Sequence, residues 1–514
     1  MADYSLYLVT DSTPTILGDK DLAHVVEEAL KGGVTIVQYR DKKIETADLV
    51  RIAKKLHVIT RKYSVPLLIN DRIDVALAVQ AEGVHIGQED MDLTTARKLL
   101  GSEAIIGVTA SSTSEALNAA DGGASYIGIG TVYATPTKTD TKSIIGTAGV
   151  RNILQALAGA RYSIPTVAIG SLNLSNVQRV LYQSASPHKS LSGVAVVSAI
   201  MASADPRAAA SELRQAVSSA PTTLSPNALK NTDLENILKQ VPGIIRRLTE
   251  ASPLCHNMTN LVVQNFAANV AICIGASPIM SNNGQEAKDL AKLGDALVIN
   301  MGTVTPEGLA NYIQAINAYN EIGGPVLFDP VGGGATGPRR NAIKTLLSAG
   351  YFDVIKGNEN EILAVLGEGL VQQKGVDSSG STSNTAAKAK TVQRLAQRER
   401  NVVLMTGETD LLSDGDRTYA IQNGDLLLGS ITGSGCTLGT TIASFLAVER
   451  GDKLLAALAA ILMFEIAAEL ASQRPEVRGP GTFVPAFLDK LYAIAKEETT
   501  GWLSKAKVKE IDTS

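Results

Sequence analysis

Eight short runs rich in aliphatic and β-branched residues recur through the first two hundred positions of this chain. They are SLYLVT (5–10), VTIVQYR (34–40), PLLIN (66–70), GVHIG (83–87), AIIGVT (104–109), YIGIG (126–130), PTVAIG (165–170) and GVAVVS (193–198). Between most of them the apolar residues repeat with helical period, as in DLAHVVEEALKGG and TADLVRIAKKLHVITRKY. Eight evenly spaced strand–helix units predict a closed (β/α)8 TIM barrel, with a doubly wound open sheet as the alternative.

The full length of 514 residues exceeds one ordinary domain, so a second unit must follow. DPRAAASELRQAVS (205–218) reads as a closing barrel helix started by an Asp-Pro pair. SSAPTTLSPNALKN (218–231) is rich in Ser, Thr, Pro and Asn. The expected division is a barrel over 1–218, a linker over 219–235 and a second α/β domain over 236–514.

A net charge of −4 gives no reason to expect nucleic acid or an anionic membrane surface as partner. MADYSLYLVTDSTPT lacks the basic start and long apolar run of a secretory signal. LLAALAAILMFEIAAEL (454–470) carries Glu465 in its interior and is short for a bilayer, so it reads as a buried helix. Three widely spaced cysteines (255, 273 and 436) fit a reducing compartment, and Cys255 and Cys273 are expected in the core. These features predict a cytoplasmic protein whose partners are small molecules, with no nucleic acid and no membrane.

In a (β/α)8 barrel, chemistry sits at the C-terminal ends of the strands. The polar residues there are Gln38, Arg40 and Lys42, which share one face by alternation, then Asn70 with Asp71. His85, Gln88 and Asp90 follow, then Thr109, then Thr135, Thr137 and Lys138, and finally Gly170, Val197 and Ser198. Taken singly these are bland: an Asn-Asp pair caps a turn, a lone lysine is solvated, and His85 is a core histidine. Together, three cations (Arg40, Lys42, Lys138) and two carboxylates (Asp71, Asp90) suit Mg2+ and a pyrophosphate. Backbone N–H groups after strands seven and eight offer a second phosphate site.

QYRDK, INDRIDVALA, GVHIGQED and YATPTK, in this order, resemble the motifs of thiamine phosphate synthase across most of residues 1–205. The resemblance implies condensation of hydroxymethylpyrimidine pyrophosphate with thiazole phosphate, giving thiamine phosphate and pyrophosphate. It implies that Arg40, Lys42, Asn70, Thr109 and Lys138 hold the pyrophosphate, that Asp71 and Asp90 hold Mg2+, and that Gln38 faces the pyrimidine. Thr135, Thr137, Gly170, Val197 and Ser198 would hold the thiazole phosphate, and Arg40 and Lys138 would assist departure of pyrophosphate. AIGSLN departs from the family by carrying Ser171 where a second glycine is usual.

The second half alternates long helices with strands ALVIN (296–300), PVLFDP (325–330), DVIKGN (353–358) and NVVLMTG (401–407), which predicts a mostly parallel α/β sandwich. A strand-end carboxylate at 329 and another at 361 could hold Mg2+ at a nucleotide's phosphates, and Lys356 could pair with those phosphates. ITGSGCTLGTT (431–441) puts a glycine turn before a small-residue helix, without the Gly-Lys-Ser/Thr ending of a Walker A loop. VDSSGSTSNTAAKAK (376–390) reads as a surface loop.

PLCHNMTN, NFAANVAICIGASPIM, NMGT, DPVGGGATGPRR, IKGNENEI and TGSGC resemble hydroxyethylthiazole kinase, a ribokinase-like fold, over roughly 240–500. The resemblance implies ATP-dependent phosphorylation of the thiazole's primary alcohol. Asn260, Met280, Gly302 and Thr303 would form the thiazole pocket, Asp329 and Glu361 would order Mg2+, and Lys356, Thr406 and Gly433 would meet ATP. Cys436 would stand where ribokinase relatives place an aspartate base. Its place at a helix N-terminus suggests a lowered pKa and a weak base, with a plain pocket wall as the alternative. The family's trimers, with the site between subunits, imply a homo-oligomer built on a trimeric kinase core, extending to a hexamer. Two alternatives to a bifunctional enzyme are a synthase whose kinase-like half is an oligomerisation scaffold, and a sensor without turnover.

Overall fold

The computed structural model describes residues 2–133, 144–219, 233–293, 295–368, 384–497 and 501–513. The chain forms two compact units, Met1–Ser225 and Pro226–Ser514. The expected linker falls mostly on residues 220–232, outside the described residues.

In the first unit eight strands close a barrel in sequence order. They are β1 (Leu6–Val9), β2 (Ile36–Tyr39), β3 (Leu67–Asn70), β4 (Gly83–Ile86), β5 (Ile105–Ala110), β6 (Tyr126–Ile129), β7 (Thr166–Ile169) and β8 (Gly193–Val196). Every neighbouring pair is parallel, including β1 with β8, so the closed alternative holds. Strand alternation divides the side chains. Leu6 and Leu8 pack outward under the helices, while Tyr7 and Val9 join Ile36, Leu68, Tyr126 and Val167 inside the barrel. Caps fix the helix starts: Asp21 accepts from His24 N–H before Leu22–Lys31, and Asp205 accepts from Ala208 N–H before Pro206–Ser218.

The second unit carries a nine-stranded sheet. Its strands are β9 (Leu254–Met258), β10 (Ser277–Ile279), β11 (Ala296–Asn300), β12 (Val326–Asp329), β13 (Val354–Asn358), β14 (Val402–Thr406), β15 (Asp410–Ser413), β16 (Thr418–Ile421) and β17 (Val508–Glu510). The order is β10-β9-β11-β12-β13-β14-β15-β16-β17, parallel as far as β14 and antiparallel beyond. Two apolar clusters cover its two faces, as a sandwich requires. Five strands escape the sequence reading. β9 carries buried His256 and Asn257 and so is not an apolar run, β10 and β17 have three residues each, and β15 and β16 are only four residues long with polar Asp410, Ser413 and Thr418 at their ends.

Helix Lys453–Ser472 is apolar and long enough to cross a membrane, but 94% of its apolar window is buried within the structure, as the interior Glu465 implied. The surface loop expected over 376–390 is only partly tested, since residues up to 383 lie outside the described set. From Thr385 the chain is helical to Glu399, capped by Asn384, which corrects the loop reading for 385–390.

Candidate active sites

At the C-terminal mouth of the barrel lies a cavity of about 420 Å³. Gln38, Arg40 and Lys42 line it together, as their alternation requires. Asn70, Asp90, Thr109, Gly170, Val197 and Ser198 also line it. Asp71 stands outside this wall, yet its Oδ2 meets Lys42 Nζ at 3.0 Å and its carboxyl hydrogen-bonds that of Asp90. Asp90 Oδ2 also accepts from Gly87 N–H at 2.7 Å. Burial, with Asp71 beside it, raises the Asp90 pKa. Thr135, Thr137 and Lys138 lie outside the described residues.

Gly170 has φ +123°, and a Cβ there would lie 2.5 Å from Thr131 Cγ2 and 2.7 Å from Val132 N. Only glycine fits that approach. Ser171 follows at φ +50°, in the left-handed region, which gives the family's second glycine its physical reason. Tyr7, Tyr126 and Ser111 line the cavity too and were missed by the sequence reading. Tyr7 and Tyr126 sit at inward positions of β1 and β6, so strand alternation was the available signal.

In the second unit, Asn300, Asp329 and Lys356 come from β11, β12 and β13, three adjacent strands. Lys356 Nζ meets Asp329 Oδ2 at 3.1 Å, both side chains being nearly inaccessible. Asn300 Nδ2 donates to the same oxygen at 3.1 Å. Asp329 Oδ1 is buried with no partner among the described residues. Glu361 lies in the first turn of helix Glu359–Leu366, where its oxygens accept from Gly332 and Asn358 N–H groups at 2.8 Å each. Burial, with Asp329 nearby, pushes its carboxyl up to about 7.

Helix Ser434–Val448 starts at Gly433, whose φ of +86° makes the turn. A Cβ on Gly435 would stand 3.7 Å from Lys356 Nζ, and one on Gly439 would stand 3.8 Å from Asp329 Oδ2. The opening turns of this helix therefore face Lys356 and Asp329. Asn260 Nδ2 donates to Asn300 Oδ1 at 3.1 Å and reaches Cys436 Sγ at 3.7 Å. Gly302 N–H donates to Asn300 Oδ1 at 2.9 Å, with Thr303 beside it in the turn Met301–Thr303. Met280 directly follows β10, next to β9 in the sheet, and Thr406 pairs with Asn358 across β14 and β13.

The expected lowering of the Cys436 pKa is corrected. Burial, with Asp329 beside it, pushes the thiol up to about 11, so local desolvation outweighs the helix N-terminus. Arg339 was also missed; its guanidinium donates to the carbonyls of Met301, Val331 and Gly302 and fixes the Gly302 turn. The signal was the RR of GPRR, whose role sequence alone left open.

Two family matches divide the chain as the sites do. Residues 6–200 match thiamine monophosphate synthase and residues 245–497 match the hydroxyethylthiazole kinase family. The chain is 45% identical, over 99% of its own length and 99% of the relative's, to the probable thiamine biosynthetic bifunctional enzyme of Schizosaccharomyces pombe. It belongs to the bifunctional thiamine biosynthetic enzymes. The thiamine biosynthetic bifunctional enzyme of Saccharomyces cerevisiae is 40% identical over 96% of both chains. The hydroxyethylthiazole kinase of Moorella thermoacetica is 41% identical over 51% of this chain and 95% of its own.

In this chain a thiamine phosphate synthase precedes a hydroxyethylthiazole kinase in one polypeptide. The kinase family implies ATP, and both families typically use a divalent metal. The donor sets fit such an ion. Asp71 and Asp90 place two carboxyls against one another, and Asp329 Oδ1 is a buried oxygen without a partner among the described residues. No cluster of three or more His, Cys, Asp or Glu that could hold a metal occurs among the described residues. Carboxylate oxygens of this kind suit a divalent ion that completes its shell with water and phosphate.

Proposed function

We propose that the second unit transfers the γ-phosphoryl group of ATP to the primary alcohol of 4-methyl-5-(2-hydroxyethyl)thiazole. The barrel then joins the resulting phosphate to hydroxymethylpyrimidine pyrophosphate. The observation that supports the kinase assignment best is the grouping of Asp329, Lys356 and Glu361 beneath the first turns of helix Ser434–Val448. In this reading Asn260, Met280, Gly302 and Thr303 receive the thiazole. Lys356, Thr406 and the N–H groups after Gly433 meet the phosphates. Cys436 walls the pocket, because a thiol with a pKa of about 11 stays protonated at neutral pH.

In the barrel, Arg40, Lys42, Asn70, Thr109 and Lys138 receive the pyrophosphate, and Gln38 the pyrimidine. Thr135, Thr137 and the backbone at Gly170, Val197 and Ser198 receive the thiazole phosphate. The cations stabilise the charge that develops on departing pyrophosphate, so the C–O bond breaks early. The aminopyrimidine bears the methylene cation until the thiazole nitrogen captures it, and no protein nucleophile is needed. Mg2+ held by Asp71 with Asp90, and by Asp329 with Glu361, would neutralise phosphate charge in each unit.

The chain works as a homo-oligomer in the cytoplasm. Leu261, Val262 and Leu426 are 74%, 73% and 93% exposed in the isolated chain. They flank the Gly433 turn, where Val263 packs against Gly433 and Ser434 Oγ donates to Leu428 O. Exposed apolar side chains around a site favour a neighbouring subunit there. Magnesium titration of each activity tests the metal assignment. Asp90→Asn raises the half-saturating Mg2+ for the synthase alone, and Glu361→Gln raises it for the kinase alone. An unchanged Mg2+ requirement in either variant refutes that assignment.

A further inference from the structure

A chain of five polar side chains crosses the barrel interior at the cavity floor. Gln38, Tyr7, Tyr126, His85 and Thr109 come from β2, β1, β6, β4 and β5, and all five line the cavity. Gln38 Nε2 donates to Tyr7 Oη at 2.7 Å. Tyr7 and Tyr126 hydroxyls lie 2.7 Å apart, Tyr126 Oη lies 2.7 Å from His85 Nδ1, and His85 Nε2 lies 2.8 Å from Thr109 Oγ1.

The direction of every bond follows from the first. An amide nitrogen only donates, so Tyr7 accepts from Gln38 and passes its own proton to Tyr126, the one acceptor in its reach among the described residues. Tyr126 then donates to Nδ1 of His85, which must be the bare ring nitrogen. Nε2 therefore carries the ring proton and gives it to Thr109 Oγ1, leaving the threonine's proton free to point elsewhere. Burial holds both phenols protonated, which this order requires.

Two glycines make the room. A Cβ on Gly107 would fall 2.1 Å from Tyr126 Cζ, and one on Gly128 would fall 2.9 Å from His85 Cε1. Strand register explains the encounter, since Gly107 stands between His85 on β4 and Tyr126 on β6.

We infer that Gln38, acting through Tyr7 and Tyr126, fixes the tautomer of His85 and turns the Thr109 hydroxyl into a donor aimed at the cavity. This rests on the reading of the cavity as the pyrophosphate site. A reversed chain would commit the Thr109 proton to His85 and present lone pairs to the anion. The polarity thus selects an anionic occupant at that wall. Tyr7, Tyr126 and His85 are positioning residues, and Thr109 is the group that touches substrate.

Nitrogen-15 histidine NMR of the full chain tests the polarity, with His85 assigned among the five histidines by His85→Gln. The expected spectrum shows neutral His85 protonated on Nε2, shifting toward Nδ1 protonation in Tyr126→Phe. Equilibrium binding tests the consequence. Thr109→Val and Tyr126→Phe each weaken hydroxymethylpyrimidine pyrophosphate binding about tenfold, one hydrogen bond to a charged group. Neither changes the binding of thiazole phosphate, which a merely structural defect would also weaken. The double variant binds no worse than Thr109→Val alone, and Thr109→Ser restores the affinity. An Nδ1–H tautomer in the unaltered protein, or additive losses in the double variant, overturns the inference. The expected tautomer together with a harmless Thr109→Val would instead remove the site assignment beneath it.

Discussion

Lys356→Met probes the charged centre of the kinase unit most sharply. Lys356 and Asp329 meet at 3.1 Å with side chains only 4% and 1% exposed. Removing one partner of such a buried pair costs about 3–5 kcal/mol, because the other charge is left without its counter-ion. The lower end applies here. Asn300 still donates to Asp329, and burial already raises the Asp329 pKa, so the carboxyl can take up a proton instead. The expected loss is therefore about 3 kcal/mol in unfolding free energy. Trp502, the single tryptophan and nearly buried, belongs to the second unit, so its fluorescence reports that unit within the full chain. In urea the midpoint should fall with little change of slope. Asp329→Asn alone should also destabilise, since it strands the lysine, while the double variant should be more stable than the sum of the singles by about 2 kcal/mol. Additive losses, or a single-variant loss under about 1 kcal/mol, refute the claim that these two charges hold one another in place.

Two further outcomes follow from the same surroundings. Burial pushes the Asp410 carboxyl, hydrogen-bonded to Glu465, up to about 6 from 3.8, so the folded unit holds a proton that the unfolded chain releases. That contribution is fully present below pH 3.8 and is lost as the pH rises through about 6, amounting to about 3 kcal/mol. Asp410→Asn should flatten this part of the pH dependence in Trp502 urea titrations, and an unaltered slope contradicts it. Cys436→Ala should lower kinase turnover less than tenfold, since phosphoryl transfer depends mainly on positioning and charge. Complete loss with intact folding and ATP binding, or a kcat profile titrating near pH 8 only when the thiol is present, contradicts it.

Much of the barrel was legible because its strands announce themselves. Leu6, Leu8 and Val9 are apolar on both faces of β1, and many of the polar residues cluster toward the C-terminal ends of the strands. That regularity placed Gln38, Arg40, Asn70 and Asp90 at one mouth before any coordinates. The second sheet was harder. His256 and Asn257 are fully buried in β9, where Nε2 of His256 bonds Ser281 O and Asn257 accepts from Thr440, and such buried polar side chains disguise a core strand. The Cys436 environment was illegible for a related reason. Sequence shows a helix start, which lowers a thiol's pKa, but not the burial that raises it, nor the carboxylate of a strand more than a hundred residues earlier that adds to the rise. The Gln38–Thr109 chain needs five strands in register, and no local pattern encodes that.

A product assay on full-length single variants, given ATP, hydroxyethylthiazole and hydroxymethylpyrimidine pyrophosphate, separates the two centres directly. Asp90→Ala should accumulate thiazole phosphate and form no thiamine phosphate. Asp329→Ala should form none from the alcohol, yet should regain full synthesis when thiazole phosphate is supplied. If supplied thiazole phosphate fails to rescue Asp329→Ala, or if Asp90→Ala also stops ATP consumption, the two units do not hold separate active sites.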